Sequence, residues 1–314
     1  VTVPPAPAPA ASAPAAALPL SGLALAVAGA VAFSGKAIIV KLAYRYPGVD
    51  AVTLIMLRMM LALPLFLALS WWAGRGRPAL TARDWRVVAG LGFSGYYLAS
   101  FLDFAGLAYI TASLERLILY LTPTVVLVLG TLLFGQRVTR PQALALVVSY
   151  AGVALVFGRE VTLEGRDVLL GSVLVLGGTV SYAVYLVYSG AEVRRLGALR
   201  LTGLATSVAC GLCIAQYLLL RAPSALAEVP APVWWLSLLN ATACTFAPVL
   251  MVMMAIERVG AAVTSQVGMI GPLATIAMGV WLLGEPFTPW LVAGTVLVLA
   301  GIWMLARAAR PGVR

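Results

Sequence analysis

Residues 112–139 read ASLERLILYLTPTVVLVLGTLLFGQRVT, and residues 261–288 read AAVTSQVGMIGPLATIAMGVWLLGEPFT. Set one above the other at a shift of 149 positions, they pair Ala112 with Ala261, Pro123 with Pro272, Gly135 with Gly284 and Thr139 with Thr288. Each is an apolar run with one interior proline, closed by a glycine-led hairpin. A membrane-spanning helix takes about 20 mostly apolar residues, so each run is long enough to be one. The same shift pairs Gly22 with Gly171, Gly29 with Gly178, and Ala151-Gly152 with Ala300-Gly301. The chain is therefore read as two copies of one membrane-embedded unit.

The rest of the sequence agrees. Of 314 residues, 62% are hydrophobic and only 10% charged, with a mean hydropathy of +1.01. A soluble domain carries about 25% charge, so a soluble catalytic or nucleic-acid-binding domain is excluded. Apolar periodicity and Gly, Pro and Arg punctuation predict helices over 20–43, 51–73, 85–109, 112–134, 141–158, 168–189, 199–220, 232–256, 261–283 and 288–306. That is five per copy, an odd number, so the second copy must enter the membrane upside down. The expected fold is an all-α polytopic membrane protein, with ten transmembrane helices as two inverted five-helix repeats around a central cavity. The first repeat covers 20–158 and the second 168–307. Residues 1–19, Pro/Ala-rich and without a positive n-region, read as a disordered tail rather than a signal peptide. Residues 308–314 form a second tail.

Net charge is +10. The arginines sit mostly in short connections, so the basic balance points to membrane orientation and not to a nucleic-acid partner. With the N-terminus cytoplasmic, thirteen cations fall on inside segments and five on outside segments. That bias predicts both termini on the cytoplasmic side of a bacterial inner membrane. Histidine is absent, which removes the commonest general base and metal ligand. Cys210, Cys213 and Cys244 lie inside apolar runs and read as small buried hydrophobes. No cofactor or metal is expected. An ATP-driven pump would need a phosphate-binding G-x-x-x-x-G-K-[ST] loop, and the sequence has none.

The hairpin Leu283-Gly284-Glu285-Pro286-Phe287-Thr288-Pro289, with a helix ending Ala300-Gly301 after it, resembles the drug/metabolite transporter superfamily in its EamA-type ten-helix form. Its echo is Phe134-Gly135-Gln136-Arg137-Val138-Thr139, followed by Ala151-Gly152. The resemblance covers essentially residues 20–307. It implies a 5+5 inverted repeat around a central cavity and transport of amino acids, nucleotide sugars, other metabolites or toxic cations. In the first hairpin Gln136 stands where the family usually has glutamate.

Candidate site residues follow from where polarity interrupts the apolar runs. Pro123 and Pro272 fall near the middle of the fourth and ninth helices, where each frees the carbonyl four residues back, those of Leu119 and Gly268. Interrupted helices at matching places in inverted halves point to a midplane binding site. Tyr120, Gln266 and Met269 are their near companions. The charges predicted within helices are Lys36, Arg58, Asp103, Glu115 and Arg116, all in the first half; they should face the interior and pair. Their repeat counterparts Tyr185, Ser207, Val252, Thr264 and Ser265 are uncharged, so the cavity should be electrostatically lopsided. The five charges either contact a zwitterionic substrate or form an ionic gate. Tyr97, Tyr182, Tyr185 and Asn240 are further candidates from the helix interiors.

The expected function is a secondary transporter exporting small metabolites, most of all amino acids, by alternating access. Its partners are the lipid bilayer, a small-molecule substrate and, through Asp103 or Glu115, a coupling proton; the chain acts as a monomer or homodimer. The alternatives are export of toxic organic cations or other metabolites in the same fold, and, in a different class, a membrane-embedded enzyme or sensor.

Overall fold

The computed structural model describes residues 20–135, 138–164 and 166–308. Ten apolar helical segments cross the bundle among these residues. They are α1 (Leu20–Ala43), α2 (Ala51–Gly74), α3 (Ala82–Leu107), α4 (Ala112–Phe134), α5 (Arg140–Glu164), α6 (Arg166–Leu196), α7 (Ala198–Leu220), α8 (Ala231–Gly260), α9 (261–283) and α10 (Pro289–Ala308). Among the described residues nine are long and apolar enough to cross a membrane; of α9, Gly271–Leu283 is the longer part.

Local chemistry sets the ends. Asp50 caps α2, accepting the Thr53 amide at 2.8 Å. Thr81 and Asp84 form a reciprocal capping box that starts α3 three residues earlier than the hydrophobic run indicates. Gly135 and Gly284, with φ of 64° and 75°, close α4 and α9 in the left-handed region that glycine enters without penalty.

Two of the irregularities repeat at the same shift. A π-helical turn interrupts α3 at Phe93–Leu98 and α8 at Thr242–Phe246, and their starts are 149 positions apart. The first segment of α4 ends at Leu119 and the second begins at Thr122; in α9 the same break runs from Gly268 to Gly271, again 149 apart. Pro272 denies the Gly268 carbonyl its helical partner, so the ninth helix, expected over 261–283 with a proline interruption, is broken there.

Packing reveals an exchange between halves. α1 packs chiefly on α8 and α9, while α6 packs on α3 and α4. The other main contacts are α2 with α7 and α5 with α10. The shift turns α1 into α6, α8 into α3 and α9 into α4, so this contact pattern maps onto itself, as a pseudo-twofold requires. Each lobe therefore mixes the two sequence halves: α1, α8 and α9 make one, and α6, α3 and α4 the other. Where α5 meets α10, a Cβ on Gly152 would lie 2.7 Å from the Gly294 carbonyl, so the glycines let these backbones touch. Trp71, Trp72, Trp85, Trp235 and Trp290 are exposed near helix ends, where indole rings suit the membrane interface.

Candidate functional site

The two lobes meet along α1, α3, α4, α8 and α9, and the meeting is uneven. On the side of Lys36–Ala43, Asp103–Leu107 and Ala112–Ile118 the helices are packed shut around a core including Ala37, Ile38, Phe104, Leu107 and Ala112. On the other side a cavity of about 310 Å³ lies between α1, α4, α8 and α9. Its wall is mostly apolar, with Ala26, Ala30, Phe33, Val252 and Ile256. Its polar groups are Ser34, Arg116, Tyr120, Thr264 and the backbone at Gly268 and Gly271, so its inner end sits at the two helix breaks. Small-molecule sites run from about 300 to 1,000 Å³, which puts this one at the small end.

The breaks leave carbonyls that hydrocarbon cannot satisfy. Each finds a side chain. Leu119 O accepts the Thr122 hydroxyl at 2.5 Å, and Gly268 O accepts the Tyr120 hydroxyl at 2.9 Å. Ser34 donates to Gly271 O at 2.8 Å. Thus the broken middle of α9 is held by α1 on one side and the broken middle of α4 on the other.

Just beyond the closed end of the cavity four of the five intramembrane charges gather. Lys36 Nζ lies 2.5 Å from Asp103 Oδ2 and 3.4 Å from Glu115 Oε1. Arg116 Nε lies 3.9 Å from Glu115 Oε2 and donates to the Thr275 hydroxyl at 2.9 Å. All four are buried, Glu115 completely. The group is balanced, two cations against two carboxylates, which is how charge survives in a medium of low dielectric. It is also incompletely hydrogen-bonded: Asp103 Oδ1 and both Glu115 oxygens have no hydrogen-bond donor among the described residues. Of the four, Arg116 alone also lines the cavity.

The remaining candidates separate from this centre. Arg58 is also buried, donating to Thr245 Oγ1 at 2.9 Å with its guanidinium 5.2 Å from the centre of the Phe104 ring, and it makes no ion pair with the four. Asn240 stands near it beside the π turn of α8, its carbonyl taking the Thr245 hydroxyl at 2.7 Å. Met269 and Pro272 lie at the break of α9, with Pro272 buried. Pro123 is exposed on the outside of the bundle and breaks α4 without facing the cavity. Tyr182 and Tyr185 stack with ring centroids 5.6 Å apart, and Tyr185 meets the Tyr96 hydroxyl at 3.1 Å across the α3–α6 contact, away from the cavity lining. Tyr97 packs against Phe93 and the α1–α2 core. The side chain of Gln266 lies outside the described residues. Sequence reasoning missed Ser34, Thr264 and Thr275, hydroxyls of a kind common in membrane helices, and Glu285, whose partner lies in the other half of the chain.

Ten helical segments in inverted halves, with a cavity at two matched helix breaks and buried charges beside it, define a multi-pass membrane transporter. The chain belongs to the EamA-like transporter family, whose sequence profile matches residues 20–158 and again 169–307. It is similar to the uncharacterized transporter YcbK of Bacillus subtilis (strain 168), 28% identical over 278 residues that cover 84% of this chain and 86% of that protein. It is also similar to the uncharacterized transporter YyaM of the same organism, 26% identical over 214 residues covering 68% and 70% of the two chains. A solved crystal structure shares the fold with a TM-score of 0.63, covering 93% of this chain and 99% of its own at 16% identity.

Proposed function

We propose that the chain exports small amino acids or closely related zwitterionic metabolites across a bacterial cytoplasmic membrane by alternating access, with both termini cytoplasmic. The observation that carries this reading is the polar end of the cavity. Arg116 is the one charged group among the described lining residues, and it stands beside the end of a broken helix. A guanidinium is the natural partner of a carboxylate. The segment 261–268 ends at Gly268, where helix carbonyls carry partial negative charge, and Tyr120 adds a hydroxyl; together they suit an ammonium. The apolar remainder of the wall takes a short side chain. A strongly cationic cargo would meet Arg116 with no carboxylate on the wall to offset it, which weighs against a cationic-drug exporter.

With both termini cytoplasmic, as the loop charges favour, the cavity would face the cytoplasm and the packed half the outside, a state ready to load cargo for export. A coupling proton would be carried by Asp103 or Glu115. The test is a panel of radiolabelled amino acids, other metabolites and organic cations in proteoliposomes, with and without a pH gradient, for the wild type, Arg116→Gln and Asp103→Asn. Amino-acid flux lost in Arg116→Gln supports the reading. Flux of organic cations alone, or amino-acid flux indifferent to Arg116→Gln, overturns it. Proton-driven flux retained in Asp103→Asn removes Asp103 from coupling.

A further inference from the structure

Glu285 belongs to the hairpin motif that identifies the family, yet neither the cavity nor the buried charge group uses it. It follows Gly284, whose left-handed backbone turns the chain at the end of α9, and its own amide donates to Gly279 O at 3.1 Å. So anchored, the side chain reaches from one lobe into the other. Oε1 accepts the Ala112 amide at 2.6 Å, and Oε2 accepts the Ser113 amide at 3.2 Å and the Ser113 hydroxyl at 2.6 Å. A helix leaves its first amides unpaired, and the carboxylate takes two of them at the positive end of α4. Thr111 takes a third, accepting the Leu114 amide at 3.0 Å.

Neighbouring side chains make the same kind of contact. Lys41 donates to Leu107 O at 3.3 Å and Ile110 O at 3.0 Å, and Tyr44 donates to Phe104 O at 2.5 Å. Groups from α1 and the α9–α10 hairpin thus hold the adjoining ends of α3 and α4. Outside this layer lies a second cavity of about 450 Å³, lined by Lys41, Tyr44, Arg45, Thr111, Glu285 and Pro286.

We infer that Glu285 is the latch of this closed face: its carboxylate holds the first segment of α4, which carries Glu115 and Arg116, against the opposing lobe, and its release opens the cavity toward the outer vestibule. The inference rests on the alternating-access reading. Glu285 is a positioning residue that acts on cargo through Arg116. Its charge matters, because a carboxylate makes bonds to amides roughly twice as strong as neutral ones. In sequence its repeat counterpart is the neutral Gln136.

The experiment uses two cysteine reporters in nanodiscs, Ala112→Cys beneath the latch and Ala30→Cys on the cavity wall, each labelled with a maleimide. The native Cys210, Cys213 and Cys244 are buried and serve as background. In Glu285→Ala, and less so in Glu285→Gln, labelling at position 112 should rise about tenfold or more while labelling at position 30 falls. Circular dichroism and thermal melting check that the variants stay folded. Unchanged labelling at both positions in folded Glu285→Ala, or a rise at both, overturns the latch. Adding amino acids to the wild-type reporters separates this from the parent reading. If cargo moves the two reporters in opposite directions and Glu285 variants move neither, the latch is wrong and the transporter reading stands. If cargo and variants move nothing, both fall.

Discussion

Replacing Lys36 by methionine should cost this protein more than any conservative change in its core, and the structure says how much can be recovered. Lys36 is the shared cation of Asp103 and Glu115, at 2.5 and 3.4 Å, and all three side chains are more than nine-tenths buried. Without it the two carboxylates face each other with Arg116, 3.9 Å from Glu115, as the remaining close cation. Three of their four oxygens already lack a hydrogen-bond donor among the described residues, so nothing nearby takes up the loss. Breaking a buried pair from one side costs about 3–5 kcal/mol, whereas replacing both partners by uncharged groups is often near neutral. Lys36→Met should therefore lose about 3–5 kcal/mol and Lys36→Met/Asp103→Asn should regain most of it. At roughly 2.1 cal/mol/K of unfolding entropy per residue a chain of this length loses about 1.5 °C per kcal/mol, so the single variant melts about 4–8 °C below the wild type. The eight tryptophans supply the fluorescence signal for melting in nanodiscs. A single variant within about 2 °C of the wild type, or a double variant no better than the single one, refutes the reasoning. Either result would mean that Lys36 is hydrated, and that its carboxylates are not held in low dielectric.

Three further outcomes follow from other contacts. Tyr120→Phe leaves the Gly268 carbonyl without its 2.9 Å donor, and should cost about 1 kcal/mol in melting and weaken cargo binding; unchanged binding would separate Tyr120 from the site. Pro272→Ala supplies an amide that can close the helix onto Gly268, so transport should fall while membrane insertion is unaffected, measured by flux beside expression level. At Asp50, burial raises the carboxyl pKa, but the Thr53 amide and Arg221 outweigh it and hold it below the usual carboxylate range. That contribution is present above about pH 4 and fades as pH falls through the lowered value. Asp50→Asn keeps a helix cap and loses only a half-exposed pair with Arg221, about 0.2–1 kcal/mol, while Asp50→Ala also loses the cap, about 1 kcal/mol more. Melting at pH 7 and at pH 3.5 checks both the ranking and the sign.

The helices and their inversion were legible because composition and spacing carry them: a run such as 112–134 is too long and apolar to be anything else, and five per copy forces the second half over. The interruption of α4 and α9 was legible too, since proline acts on its own helix. What the sequence could not display was partnership between residues far apart in the chain. Lys36 and Asp103 are 67 positions apart, and Glu285 and Ser113 are 172 apart. Tyr182 and Tyr185 share helical spacing with cavity candidates, but only the tilt of α6 against α3 decides which way they point. Pro123 shows the same limit, because breaking a helix does not require facing its cavity. For Glu285 a signal existed: a carboxylate kept in the hairpin of a chain with so few acids, next to a glycine that reverses the chain.

The division into lobes alters what the buried charges mean. Counted along the sequence, Lys36, Asp103, Glu115 and Arg116 all belong to the first repeat, and their ion pairs would merely weld that half together. Counted by packing, Lys36 on α1 sits in the lobe of α8 and α9, and its carboxylates sit on α3 and α4 in the other lobe. The two Lys36 ion pairs therefore cross the boundary that the proposed alternating access would open. The pseudo-twofold carries this closed face onto the cavity face, where the counterparts of Asp103 and Glu115 are Val252 and Thr264, both on the cavity wall. One face is thus closed by buried ion pairs, while the matching described positions of the other are the neutral Tyr185, Val252 and Thr264. Neutral contacts bind less strongly than charge-assisted ones. The chain at rest should then favour the state in which the ionic face is shut, and a cargo carboxylate that draws Arg116 away from the Thr275 hydroxyl on α9 would remove one contact across that boundary.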